Sequence, residues 1–155
     1  MHLSRNVAVL LLASLSSIQG FGAAATVSTF TGGDAGEGLD LQGNFTYAIN
    51  VGPSGAAGLV GDANFTADNV TGVVIDANQN IATGGWGAVD YGPTDSDKNL
   101  STVMKSIRWA AAPTVVTVTL DVEKGAEYKL QLLFHEDCCA GRGFNIVLDG
   151  TTEVN

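Results

Sequence analysis

Basic residues are scarce in this 155-residue chain: seven Lys and Arg stand against 16 Asp and Glu, a formal charge of −9. A surface this acidic repels phosphate backbones and anionic headgroups, so neither nucleic-acid binding nor electrostatic membrane docking is expected. It suits neutral sugars, divalent cations or basic partners. Histidine is limited to His2 and His135, and zinc sites want several nitrogen or sulfur ligands, so zinc chemistry is not expected either. Beyond residue 25 no apolar run approaches the roughly 20 residues that span a bilayer, which argues against membrane insertion. Lys, Glu and Leu at helical spacing are few. What is abundant is Gly (20 residues), Thr and Val, with 45% of the chain hydrophobic. That composition predicts one β-rich domain with a real core, plus at most a short appendage.

The appendage is N-terminal. Arg5 supplies a positive start, Val7 to Leu15 an apolar run, and Ala23-Ala24-Ala25 the small residues read by a signal peptidase. Residues 1–25 therefore read as a secretory signal cut after Ala25, too short to be a membrane anchor. Four sequons fit the same secreted, extracellular or cell-surface compartment: Asn44-Phe45-Thr46, Asn64-Phe65-Thr66, Asn69-Val70-Thr71 and Asn99-Leu100-Ser101. None carries Pro at its middle position, so each is a competent glycosylation acceptor, and a glycan requires a surface Asn.

Residues 26–43 are Gly- and acid-rich and read as a leader, a long loop or a first-strand segment. Phe45 to Val51 reads as a strand ending in the turn cluster Gly52-Pro53-Ser54-Gly55, and Gly72 to Asp76 as a short β-branched strand. Ala77 to Asp97 reads as a long irregular stretch carrying Trp86 and Tyr91. Ser101 to Ala110 alternates in part, with Trp109 assigned to the core. Thr114 to Val122 alternates Val116, Val118, Leu120 and Val122 against polar neighbours, the pattern of a half-buried strand. Lys124-Gly125 makes a turn, Glu127 to His135 the next strand, and Phe144 to Leu148 another. With about seven strands and no helix, the expected fold is all-β, an antiparallel β-sandwich of jelly-roll type.

The block from Gly125 through Tyr128, Leu130, Leu132, Phe134 and Glu136, followed by Gly141-Arg142-Gly143-Phe144-Asn145 and Gly150, resembles the malectin and malectin-like domains. Ala48-Ile49-Asn50-Val51-Gly52 resembles that family's opening strand, and Phe65 with Asp68 the motif after it. Asn145 stands where the family usually has Asp, and Arg142 follows Gly141 without a spacer. The resemblance spans residues 44–155 and implies a galactose-binding-like sandwich that binds carbohydrate through loops on one edge. The family's last strand would be lacking at Asn155, so either the domain is cut short or Thr26–Asp40 fills that place.

Sugar recognition needs a flat aromatic under the ring and polar groups for the hydroxyls. Trp86, Asp90 and Tyr91 combine these within six residues, and Glu136, Asp137 and Arg142 offer contacts from a second loop. The rival reading puts Trp86 or Tyr91 on the core edge and makes Arg142 a loop pin. Cys138 and Cys139, the only cysteines, have three outcomes in an oxidising compartment: a vicinal disulfide, bridges to other chains, or free thiols. A vicinal ring is strained, because adjacent Cα atoms sit about 3.8 Å apart against about 4.4–6.8 Å in ordinary bridges. His135 near Cys138 invites a cysteine nucleophile, but no orienting third group accompanies it. Glu136 and Asp137 point to opposite faces of a strand and make a poor glycosidase pair. Asp34, Glu37 and Asp40, or Asp90, Asp95 and Asp97, could hold a structural calcium, although neither set matches the D-x-D-x-D-G loop. No other cofactor is expected. The expected function is a secreted, non-catalytic carbohydrate-binding module. The alternative is a structural or adhesion protein of a cell surface or matrix, assembled through its cysteines with itself or other surface proteins.

Overall fold

The computed structural model describes residues 2–13, 25–52, 55–76, 89–111, 113–135, 144–148 and 151–154. Its elements are β1 (His2–Ala13), β2 (Phe45–Asn50), β3 (Gly58–Val60), β4 (Ala63–Phe65), β5 (Val73–Asp76), α1 (Asp95–Met104), β6 (Arg108–Ala111), β7 (Thr117–Leu120), β8 (Tyr128–His135), β9 (Ile146–Leu148) and β10 (Thr151–Val154). The chain is mostly β, in small sheets of antiparallel strands, with one short helix. Among the described residues no helix is long and apolar enough to cross a membrane.

The largest sheet is built on β1. Residues Asn6–Ala13 run opposite β8, Ala8–Leu12 opposite β2, and His2–Arg5 opposite β6. Smaller antiparallel pairs join β3 to β4, β5 to β7 and β9 to β10. The β3–β4 hairpin turns on Gly61-Asp62, with Gly61 at φ +56°, a backbone state that costs glycine little. Thr66 then bridges to Ile49, its N–H donating to the Ala48 carbonyl at 2.9 Å, which sets β4 beside β2.

Alternation sends the side chains of β2 and β8 to two different cores. Ala48 and Leu133 join Phe65, Leu100, Val103 and Met104 on one face. Ile49, Val51, Leu130 and Leu132 join Val73, Ile75, Val118 and Leu120 on the other. Strict alternation would put Phe45 with Tyr47. Against β1, however, Leu11 faces Tyr47 and Leu12 faces Phe45, leaving Thr46 as an extra residue. That bulge turns Phe45 back to the first core while Tyr47 stays on the second.

The strands expected at Phe45–Val51, Gly72–Asp76, Thr114–Val122, Glu127–His135 and Phe144–Leu148 are present as β2, β5, β7, β8 and β9, shorter by one residue in β2, β5 and β8, by two in β9 and by more than half in β7. One expectation is corrected. Residues 95–104, read as loop and then strand, form α1. Thr94 caps it, its Oγ1 accepting from the Asp97 N–H at 3.1 Å while the Asp97 carboxylate accepts from the Thr94 N–H. Asp95 and Asp97 favour the positive end of the helix dipole. Leu100, Val103 and Met104, at i, i+3 and i+4, bury one face. Residues 26–43, for which a leader, a long loop and a first strand were the alternatives, form no strand. They dock as a loop through Phe30, Leu39 and Leu41, with the Thr31 N–H donating to the Glu37 carbonyl at 2.8 Å. Trp109 lies in β6, as expected for a strand residue.

Candidate functional site

Asp97 is the point at which the loop of residues 26–43 meets the start of α1. It is 2% exposed although it is an acid in the first turn of a helix. Its Oδ1 accepts from the Gly33 N–H at 2.9 Å, and its Oδ2 from the Thr94 N–H at 3.3 Å. These bonds, that from Gly33 first, hold its carboxyl below the ordinary aspartate range against the opposing effect of burial. Two glycines make the approach possible: a Cβ on Gly33 would lie 2.8 Å from the Ser96 carbonyl oxygen, and one on Gly32 would lie 2.9 Å from Asp97 Oδ1. Glu37 closes the same loop, its Oε2 accepting from the Asp34 N–H at 2.8 Å.

Asp34, Glu37 and Asp97 thereby bring carboxylate oxygens within 4.8 Å of one another. They are the described residues that could hold a hard cation such as calcium, with backbone carbonyls or water supplying the remaining oxygens. The grouping differs from both sets expected from the sequence. Asp40 instead pairs with Lys129, exposed Asp95 lies 3.6 Å from Lys98, and Asp90 accepts from the Gly92 N–H at 3.1 Å within its own turn. Sequence neighbours were separated, and residues 60 positions apart were joined.

Of the expected sugar-binding residues, Asp90 is exposed and Tyr91 half-buried. The Tyr91 ring stacks on Phe30, with centroids 5.7 Å apart and planes 26° apart, against the first core. Burial pushes its phenol up to about 12. One face of the ring is thus taken up by Phe30, the kind of contact that the core-edge reading expects. Trp86, Glu136, Asp137, Arg142, Cys138 and Cys139 lie outside the described residues. His135 is half-buried, and its Nε2 has no hydrogen-bond partner among the described residues.

Asn44, Asn64 and Asn69 are exposed, as glycan acceptors must be, whereas Asn99 is half-buried on α1 and donates through Nδ2 to the Leu59 carbonyl at 2.8 Å. Asn44 and Asn64 also border an open groove of about 480 Å³ along β2. Phe45, Tyr47, Asp62, Thr46, Thr66 and Thr71 complete most of its lining. Tyr47 donates its hydroxyl to the Asp121 carbonyl at 2.7 Å, which holds the ring at the groove wall. The Gly43 N–H donates to Asp62 Oδ2 at 3.0 Å and fixes the mouth. Sequence reading singled out these Asn as sequons but not the groove, because β3 and β4 were not recognised. The local signal was Gly61-Asp62, a two-residue hairpin turn between Gly58-Leu59-Val60 and Ala63-Asn64-Phe65.

Arg108 anchors the other end of β2: its Nε donates to the Val51 carbonyl at 2.8 Å, and its guanidinium pairs with Asp68. Asn50, fully buried, accepts from the Gly52 N–H at 3.1 Å and donates to the Gly55 carbonyl at 2.8 Å. No family model, curated protein or solved structure matches this chain.

Proposed function

We propose that the protein is a secreted, non-catalytic carbohydrate-binding module of two-sheet, jelly-roll architecture that takes a neutral glycan in the groove along β2. The observation that carries this reading is the groove itself. Its volume of about 480 Å³ falls in the range of small-molecule sites, about 300–1,000 Å³. Its lining includes Phe45 and Tyr47, each packed against a core on its other side, beside the hydroxyls and amides that sugar hydroxyls require. The acidic surface favours a neutral ligand over an anionic one. The order of malectin-like motifs from Ala48 to Gly150 supports the same ligand class. In this reading Trp86, Asp90, Glu136, Asp137 and Arg142 serve as a second contact region.

Glycosylation and binding compete at this place, because glycans on Asn44 or Asn64 would stand in the groove. The test therefore uses protein from a host without N-glycosylation on a glycan array, with Thr46→Val and Thr71→Val as exposed variants that leave the core alone. Binding that falls at least about tenfold in both variants, the loss of roughly one hydrogen bond to a desolvated partner, supports the groove. Binding that survives both and disappears in Trp86→Ala moves recognition to the second region. An array with no bound glycan overturns the reading.

A further inference from the structure

We propose that the gap between β2 and β8 is a strand-acceptor site, filled in the exported protein by an extended, uncharged aliphatic segment of a partner chain. The inference goes beyond glycan binding and rests on the export reading of residues 1–25. Two observations meet here. The first is that β1 is the strand that joins β2 to β8. Eight of its residues run opposite β8 and five opposite β2, and among the described residues β2 and β8 pair only through it. The second is that β1 carries Arg5 and the apolar run beginning at Val7, the parts of a secretory signal. Cleavage after Ala25 severs this strand from the rest of the domain.

Removing β1 would leave facing ladders of unpaired backbone N–H and C=O groups on β2 and β8. Beside them lie the buried side chains of Ala48, Ile49 and Leu133. An open edge of this kind binds another strand, because main-chain hydrogen bonds supply affinity whatever the sequence. The chemistry of the occupant can be read from the one that fills the place: Asn6-Val-Ala-Val-Leu-Leu-Leu-Ala13, eight uncharged and mostly aliphatic residues. It must run antiparallel to both flanks, as β1 does.

The occupant comes from outside, because the described residues after 25 are committed elsewhere. The loop of residues 26–43 is held by the Gly33–Asp97 bond and by the Asp40 N–H, which donates to Gln131 Oε1 at 3.0 Å. The strands β3 to β5, β7, β9 and β10 already have partners in their own pairs. Besides the two flanks, only β6 would lose its pair with β1, and its four residues are too short for the place and are tied down by Arg108, which donates to the Val51 carbonyl and pairs with Asp68.

The experiment secretes the full chain, determines its N-terminus by mass spectrometry, and titrates the product with two fluorescent peptides. One has the sequence of residues 2–13; the other carries Pro in place of Val9 and Leu11, which removes ladder donors. A product starting at Thr26 that binds the first peptide saturably, and at least about tenfold tighter than the second, is the expected result. Amide exchange along Tyr128–His135 should slow when the first peptide binds. A product starting at Thr26 that binds both peptides alike, or neither, overturns the acceptor site. A product that retains residues 2–13 removes the export premise and overturns the proposal by that route. Neither result bears on glycan binding to the groove, which the Thr46 and Thr71 variants read separately.

Discussion

The two faces of the sheet that contains β2 and β8 are closed by different means. On the first, α1, the β3–β4 hairpin and the loop of residues 26–43 cover a core in which Phe65, Leu100 and Met104 are wholly buried. One carboxylate, Asp97, ties the loop to the helix across 64 residues of sequence. On the second, the β5–β7 ribbon covers Ile49 and Val51 with side chains of which all but Val73 are only half-buried, and it leaves Val74 64% exposed. The first face combines close packing with long-range hydrogen bonds. The second relies on packing, the Tyr47–Asp121 and Arg108–Val51 hydrogen bonds and the β5–β7 ladder. The difference teaches that the wholly buried large side chains and the ties to the loop of residues 26–43 are concentrated on the helix side, beside the acidic cluster.

Breaking each face in turn tests that contrast. Phe65→Ala should cost about 3–5 kcal/mol in denaturant unfolding, since the surrounding core is closed and cannot collapse into the space left. Ile75→Ala on the ribbon, half-exposed already, should cost less, about 1–2 kcal/mol. Equal losses at the two positions would remove the distinction between the faces. Thr94→Ala should cost about 1 kcal/mol through loss of the helix cap. Val74→Thr should stay within about 0.5 kcal/mol of the parent.

A pH series sharpens the same comparison. The folded Asp97 carboxyl ionises more readily than it would in the unfolded chain. Its contribution to stability is therefore complete above the unfolded aspartate value, about pH 4, and is lost as pH falls through the lower folded value. Melting curves of the parent and of Asp97→Asn should differ at neutral pH and converge in acid. A gap that stayed constant down to pH 2 would contradict the hydrogen-bonded, ionised Asp97.

How far the fold could be read in advance varied with the element. The strands β2, β7 and β8 were legible because apolar residues recur at every second position along much of each, and β5 because its short run is β-branched. Helix α1 was not, since its apolar residues Leu100, Val103 and Met104 sit at the end of an acid- and glycine-rich stretch. The cap that starts it, Thr94 with Asp97, has Asp where Glu or Gln is the stronger signal. Tyr91 was identified as an aromatic of interest, but only its stacking on Phe30, about 60 residues away, turned it toward the core.

Local chemistry determined where the backbone is extended, where it turns at Gly61 and Gly125, and that the protein is strongly acidic. These properties depend on neighbours within a few residues, through side-chain alternation and backbone torsion. The tertiary structure decided which carboxylates meet, that Asn44 and Asn64 border one groove, and that residues 2–13 separate β2 from β8. Those outcomes depend on which surfaces pack together across the chain, and contacts between residues tens of positions apart leave no periodic trace in the sequence.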